Sequence, residues 1–323
     1  MSNIIRLLAI VSRPEFLPAN LGSIIVGISW GLDPPIDSVG QTVILAALSF
    51  AVLTFVSAMG AQLNTISDHE LDSNDIRKER LVQALHGLGR SKLRSIMIIE
   101  FLLGLPFMFL LLLIQPKPAL LFLWIAGNLL TYAYSMPPLR LKSRSWLAMF
   151  TLFLPLSILP ILFVYYTFAS ELNPLFLVFL AGQAMTIYGL IVPTEIRDYF
   201  GDSAMGVKTM TVRLGLVKAS LFSILLLTVG GILMATAFTL TLVYGPQPLF
   251  TVSLLAIAAA DYIVLGKYKT LYFLSKRHAL SENQDSGAQD IIALSAHNPQ
   301  WITLVSQAIV FTSLMLLVGK FVA

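Results

Sequence analysis

The sequence predicts an all-α integral membrane protein with nine transmembrane helices. Three observations carry that expectation: the composition, the number of apolar stretches long enough to span a bilayer, and where the basic residues fall between them. Of the 323 residues, 57% are hydrophobic and only 12% charged, with a mean hydropathy of +0.82. One soluble core cannot enclose that much apolar surface. The chain holds no cysteine, which excludes disulfides, thiolate metal ligands and cysteine nucleophiles. In the opening MSNIIRLLAIVSRPEF, Arg13, Pro14 and Glu15 stand where a small-residue cleavage site would be needed, so no removable signal peptide is expected.

A hydrocarbon core about 30 Å thick needs roughly 20 mostly apolar residues per helical span. Nine stretches qualify, at about 16–32, 42–66, 95–115, 118–135, 147–169, 174–196, 217–243, 248–266 and 301–319. Pro106, Pro155, Pro160, Gly182, Gly189, Gly230 and Gly231 fall inside them and read as kink and packing positions, which neighbouring helices make tolerable. All of the 21 Lys and Arg except Lys117 and Lys320 lie at the N-terminus or in the connections after the second, fourth, sixth and eighth spans, counting Lys218 at the very start of the seventh span with the connection before it. By the positive-inside rule that side is cytoplasmic, with the N-terminus inside and the C-terminus outside. The connections there, 67–94, 136–146, 197–217 and 267–300, are long and polar, whereas the outer turns LDPPIDSVG, QPKP, SELNP and YGPQP are short and rich in turn formers. Function is therefore expected at the cytoplasmic face. The 267–300 segment reads as an amphipathic or irregular surface loop without a catalytic part.

The second span ends in NTISDHELD, residues 64–72. Residues four apart on a helix differ by about 40° in direction and about 6 Å along the axis, so Asn64, Asp68 and Asp72 share a face. Carboxylates at that spacing repel unless a cation sits between them. Mg2+ suits the pair, because it takes one or two carboxylates and completes its shell with water and substrate phosphate. At the end of the sixth span, PTEIRDYFGDSAMGVK repeats the pattern: Asp198 and Asp202 are four apart, and Thr194 stands where Asn64 does. Lys78 and Lys208 each follow the last aspartate of their stripe by six residues. The repetition predicts an internal duplication, about 14–140 against 147–266, with a ninth helix at about 301–319, inside one domain spanning 1–323. Two such acidic ends can hold two metal ions, with Arg77, Lys78, Arg80 and Lys208 taking up the remaining charge of a diphosphate.

Blander readings compete. Acidic residues at a helix end are often only solvated loop, but the doubling of the stripe with matched lysines favours a metal site. Arg90, Lys92 and Arg94 read as topology determinants and headgroup contacts. His69 and His86 read as surface groups, and His278 as part of the polar loop. Asn20, Glu100, Asn128, Gln183, Asp261 and Gln307 read as interhelical hydrogen-bonding groups, with Asn20 and Asn128 the only two for which a place in the pocket is the competing reading. A cation-coupled transporter is the reading from another class. Transporter acids lie near the bilayer midplane, however, whereas these lie at cytoplasmic helix ends, and the two halves here run parallel.

NTISDHELD with the basic IRKER after it, YSMPPLRLKSRSW at 134–146 and EIRDYFGDSAMGVKTMTVRLG at 195–215 together resemble the three signatures of the UbiA superfamily of intramembrane prenyltransferases. The resemblance covers most of the chain. It implies nine helices around a central cavity, a polar cytoplasmic cap, and Mg2+-dependent transfer of a prenyl group from an isoprenyl diphosphate. Asn64, Asp68 and Asp72 match the family's NxxxDxxxD motif, and Asp198 and Asp202 its DxxxD motif. The resemblance thus makes them ligands of two Mg2+ that bridge the diphosphate. Lys78 and Arg80 match basic residues after the first motif and Lys208 the lysine of the second, while Tyr134, Arg140 and Lys142 belong to the YSxPPLRLK signature. Leu81 stands where many members have proline and Glu195 where some have asparagine; neither touches the metal ligands.

The expected surroundings are membrane lipid, an isoprenyl diphosphate and a lipophilic acceptor, with no nucleic acid. SRPEFLPANLGSIIVG and the second acidic motif are similar to dihydroxynaphthoate prenyltransferases, whereas YSMPPLRLKSRSW is similar to hydroxybenzoate, chlorophyll-type and archaeal ether-lipid members. An aromatic quinone precursor is the expected acceptor, and geranylgeranylglyceryl phosphate, an alcohol, the alternative.

Overall fold

A computed structural model describes residues 2–33, 38–73, 78–241, 248–281 and 284–322, and every regular element among them is helical. In chain order these are α1 (Ser2–Ser12), α2 (Leu17–Gly31), α3 (Val39–Ser67), α4 (His69–Asp72), α5 (Glu79–Leu88), α6 (Arg90–Ile114), α7 (Pro118–Ser135), α8 (Trp146–Phe153), α9 (Leu159–Phe168), α10 (Pro174–Ala204), α11 (Met210–Leu214), α12 (Leu216–Thr241), α13 (Pro248–Leu280), α14 (Gln284–Ser295) and α15 (Asn298–Val322). Among the described residues, seven helices are long and apolar enough to cross a membrane: Val39–Ser67, Arg90–Ile114, Trp146–Phe168, Pro174–Ala204, Leu216–Thr241, Leu249–Leu280 and Gly287–Phe321. The other two expected spans are helical but shorter, α2 with 15 residues and α7 with 18.

Local chemistry fixes several helix starts. Ser38 caps α3 by accepting from the Gln41 amide at 3.2 Å, and Asn173 caps α10 by accepting from the Leu175 amide at 2.8 Å, with Pro174 in the first turn. Trp146–Phe168 is not one regular helix: Leu154–Ile158 forms a π-helical turn around Pro155, whose missing amide hydrogen breaks the regular ladder. The chain divides into two compact units, one of Met1–Leu141 with Leu159–Phe168, the other of Lys142–Ile158 with Ala169–Ala323, and the end of this turn is one of the places where it passes between them.

In the first unit α3 is the central helix, packed against α1, α2, α6, α7 and α9. Its C-terminal end is held by a core of Val11, Leu63, Ile66, Ala84, Leu85, Leu88, Leu93 and Met97, contributed by α1, α3, α5 and α6. Gln62 reinforces that end, donating to Ser12 Oγ at 2.8 Å and to Glu100 Oε2 at 2.7 Å. The α2–α9 contact depends on glycine, since a Cβ on Gly27 would lie 2.5 Å from Val164 Cβ.

In the second unit α10 packs along α12. A Cβ on Gly182 would meet Gly230 O at 2.7 Å, and one on Gly189 would meet Leu227 N at 3.0 Å, so small residues set how closely these backbones approach. Beneath the end of α10 lies a core of Tyr188, Val192, Ile196, Leu216, Ala219, Leu226, Leu271 and Ile291. The 267–300 segment is not a loop. α13 continues to Leu280 because Tyr268, Leu271 and Ser275 fall on one buried face, and α14 packs back against α10 and α13. At 33 residues α13 is about 50 Å long, more than a hydrocarbon core requires.

Candidate active site

The first acidic stripe forms where α3 gives way to α4. Asn64 lies in the last turn of α3, Asp68 is the residue at which α3 ends, and Asp72 closes the single turn of α4. The helix is interrupted, yet the four-residue register survives: the Asp68 amide donates to Asn64 O at 2.9 Å and the Asp72 amide to Asp68 O at 2.8 Å. Asp72 is only 4% exposed, and Lys78 Nζ donates to its Oδ1 at 2.6 Å. Arg140 Nη2 lies 3.6 Å from Asp68 Oδ1 and 3.4 Å from Ser67 O, so the guanidinium serves both the carboxylate and the carbonyl end of α3, where positive charge is favoured. Arg140 reaches it from a left-handed backbone conformation, φ 38°. Ser135 Oγ stands 3.5 Å from Asn64 Oδ1, the outer limit of a hydrogen bond.

The other residues expected around this stripe are less tightly drawn in. Tyr134 sits partly buried in the last turn of α7, Arg80 is exposed in the first turn of α5, and Arg77 lies outside the described residues. His69 and His86, expected as unrelated surface groups, pair with each other, Nε2 to Nε2 at 3.1 Å.

The second stripe lies wholly on α10. Asp198 is gripped by its neighbour Arg197, Nε to Oδ1 at 2.9 Å and Nη2 to Oδ2 at 3.1 Å. Asp202 is one turn further on, and its carbonyl accepts from the Val207 amide at 2.9 Å as the chain turns through Gly206, φ 70°. Lys208 stands exposed after that turn, and Lys142 is partly buried in the short 3-10 turn Leu141–Ser143.

Pro193 sits inside α10 and leaves Gly189 O without its helical donor. Ser223 Oγ supplies one at 2.6 Å. The fully buried Asn298 holds the next turn: its Nδ2 donates to Leu190 O at 2.7 Å and to Thr194 Oγ1 at 2.9 Å, while its Oδ1 accepts from the Tyr268 hydroxyl at 3.0 Å. Helices α10, α13 and α15 are thereby tied together one turn before Asp198. Sequence reasoning missed Asn298, which is 104 residues from Thr194, and Arg197, although that residue stands directly beside Asp198 in the quoted motif.

All the donors in both stripes are carboxylate or amide oxygens, the set a hard divalent cation prefers. Among the described residues no three acidic or histidine side chains converge on one point. Each unit thus offers a pair of carboxylates, which suits Mg2+, an ion that takes its remaining ligands from water and phosphate.

The UbiA prenyltransferase family model matches residues 20–272. The chain belongs to this family. It is 28% identical over 102 residues to the chloroplastic chlorophyll synthase of Oryza sativa subsp. japonica, and 26% identical over 156 residues to that of Arabidopsis thaliana. These alignments cover 32% and 47% of this chain but only 27% and 38% of the plant proteins. Among solved structures, a digeranylgeranylglyceryl phosphate synthase aligns with TM-score 0.65 at 17% identity, over 97% of this chain and 99% of that one. A UbiA homologue from Archaeoglobus fulgidus bound to GPP and Mg2+ aligns with TM-score 0.61 at 18% identity, over 93% and 99%. The apo UbiA homologue from Aeropyrum pernix K1 gives 0.63 at 16%, over 90% and 98%. At these identities the likeness is one of fold.

Proposed function

We propose that this protein transfers a prenyl group from an isoprenyl diphosphate to a lipophilic acceptor, with Asn64, Asp68, Asp72, Asp198 and Asp202 as the metal-binding residues. The observation that carries the reading is that each acidic stripe ends an apolar helix and is already balanced by cationic side chains, Lys78 and Arg140 on one, Arg197 on the other. Two Mg2+ at these oxygens would neutralise diphosphate charge and favour its departure. Lys78, Arg140 and Arg197 can turn from carboxylate to phosphate oxygens, with Arg77, Arg80, Lys208, Tyr134 and Lys142 completing the diphosphate contacts. Heterolysis of the allylic C1–O bond leaves an electrophilic carbon, which the acceptor attacks. The prenyl tail would lie along the apolar face of α3 on the membrane side of Asn64, where Val52, Phe55, Val56 and Met59 stand with Phe101 and Trp124.

The full proposal is one nine-helix domain with a polar cytoplasmic cap, cytoplasmic N-terminus and external C-terminus. An aromatic quinone precursor of the dihydroxynaphthoate or hydroxybenzoate type is the proposed acceptor. Geranylgeranylglyceryl phosphate is the second reading, favoured by the fold shared with the digeranylgeranylglyceryl phosphate synthase. Family membership favours either over cation-coupled transport. The test is Mg2+-dependent release of diphosphate from geranylgeranyl diphosphate in detergent. Asp68→Ala and Asp198→Ala are each expected to abolish it, and full activity in either variant would contradict the proposal.

A further inference from the structure

The proposed reaction leaves a proton to be removed. When the prenyl C1–O bond breaks, its electron pair leaves with the diphosphate. C1 then bonds to an acceptor carbon or oxygen, which must shed the hydrogen it carried. None of the cationic groups around the stripes can take that proton, and carboxylates that bind metal are poorly suited to it.

Glu195 has the position that such a base requires. On α10 it precedes Asp198 by three residues and Asp202 by seven. At 100° and 1.5 Å per residue this puts it about 60° from Asp198 and about 20° from Asp202 around the helix, and about 4.5 and 10 Å farther along the axis from the polar end. The three carboxylates therefore share a face, with Glu195 the deepest, and Asp202 is among its charged neighbours. A diphosphate bound at Asp198 and Asp202 has its alkyl chain running toward the membrane interior, so C1 comes next on the path that leads past Glu195.

The side chain is also held in place. The buried Thr211 of α11 donates its hydroxyl to Glu195 Oε2 at 2.8 Å, and Thr194, the preceding residue, is fixed by Asn298. Glu195 itself is only partly buried, so a ligand can reach it. A carboxylate positioned by a hydroxyl, with no lysine or arginine ion-paired to it among the described residues, differs from Asp68, Asp72 and Asp198, each of which contacts a cation.

We infer that Glu195 is the general base of the transfer, accepting the proton from the acceptor atom that bonds to C1. The inference rests on the prenyl-transfer reading and deepens it: the acceptor carries a C–H or O–H at its reacting atom, where a pre-ionised carboxylate acceptor would need no such base. In balance, prenyl diphosphate and protonated acceptor become prenylated acceptor, diphosphate and a proton, which rests on Glu195 before passing to water.

The experiment compares wild type with Glu195→Gln, which keeps the shape and an oxygen for Thr211, and with Glu195→Asp. Two rates are followed with geranylgeranyl diphosphate and Mg2+: diphosphate release without acceptor, and transfer to hydroxybenzoate, dihydroxynaphthoate or geranylgeranylglyceryl phosphate, whichever the wild type prenylates. The ratio of transfer to release is expected to fall about 100-fold in Glu195→Gln, the range of a lost general base, with partial recovery in Glu195→Asp. With ring-deuterated hydroxybenzoate, a hydrogen isotope effect absent in wild type is expected in Glu195→Gln, because proton removal becomes rate-limiting; loss of a purely structural contact would not produce it. An unchanged ratio, or an equal loss of release and transfer, would overturn the assignment of Glu195 while leaving prenyl transfer intact. Absence of both rates in wild type would instead overturn the functional reading, and the base with it.

Discussion

Lys78 Nζ lies 2.6 Å from Asp72 Oδ1, joining a lysine whose side chain is 49% exposed to a carboxylate that is almost sealed from solvent. The pair spans the connection between α4 and α5, and it realises in space the six-residue interval between aspartate and lysine that the sequence repeats at Asp202 and Lys208. Its asymmetry suits exchange of partners, since the exposed lysine can swing to a phosphate while Asp72 stays in place to receive a cation.

That exchange predicts a binding phenotype for Lys78. Lys78→Ala is expected to raise KM for the prenyl diphosphate about tenfold, equivalent to about 1.4 kcal/mol, with little change in kcat, and Lys78→Arg to recover most of the loss. Steady-state kinetics at saturating acceptor checks this; an unchanged KM would show that Lys78 only shields Asp72.

Asn298 should matter out of proportion to its distance from the chemistry. Its removal leaves Leu190 O, the Thr194 hydroxyl and the Tyr268 hydroxyl without the partner that Asn298 supplies, and Leu190 and Tyr268 are closed to water. Asn298→Ala is expected to destabilise the protein by about 2–3 kcal/mol. Tyr268→Phe should cost much less in that background than in wild type, because one network is shared. Thermal unfolding of the four proteins in detergent checks the cycle, and strictly additive losses would show that the network does not act as a unit.

The absence of native cysteine makes orientation directly measurable. Single cysteines at Arg94 and Lys276 are expected to react with a membrane-impermeant maleimide only after cells are opened, and one at Glu171 to react in intact cells. Labelling of the first two in intact cells would reverse the topology.

The apolar runs were legible in the sequence because lipid demands length and hydrophobicity, and among the described residues seven helices of the required character follow them. The acidic stripes were legible because four-residue spacing is local: the backbone bonds from Asp68 to Asn64 and from Asp72 to Asp68 preserve it across the end of α3. What escaped was non-local. Asn298 reads as an ordinary polar residue until the fold brings it to the Pro193 kink. The pairing of His69 with His86 likewise depends on how α5 folds back beside α4. The continuation of α13 past 266 was hidden because its lower half buries one side only, through Tyr268, Leu271 and Ser275, and so looks polar in a window sized for a membrane span. Arg197 was in plain view, but adjacency to Asp198 carried no signal until the side-chain geometry showed the two-bond grip.

The central claim, that both acidic stripes serve one prenyl transfer, is tested most directly by product identification. Purified protein is incubated with labelled geranylgeranyl diphosphate, Mg2+ and a panel of hydroxybenzoate, dihydroxynaphthoate and geranylgeranylglyceryl phosphate, and the products are weighed by mass spectrometry. The account predicts one prenylated acceptor, formed only with Mg2+ and lost in both Asp72→Asn and Asp202→Asn. A product formed undiminished by either variant, or no transfer to any acceptor, would contradict it.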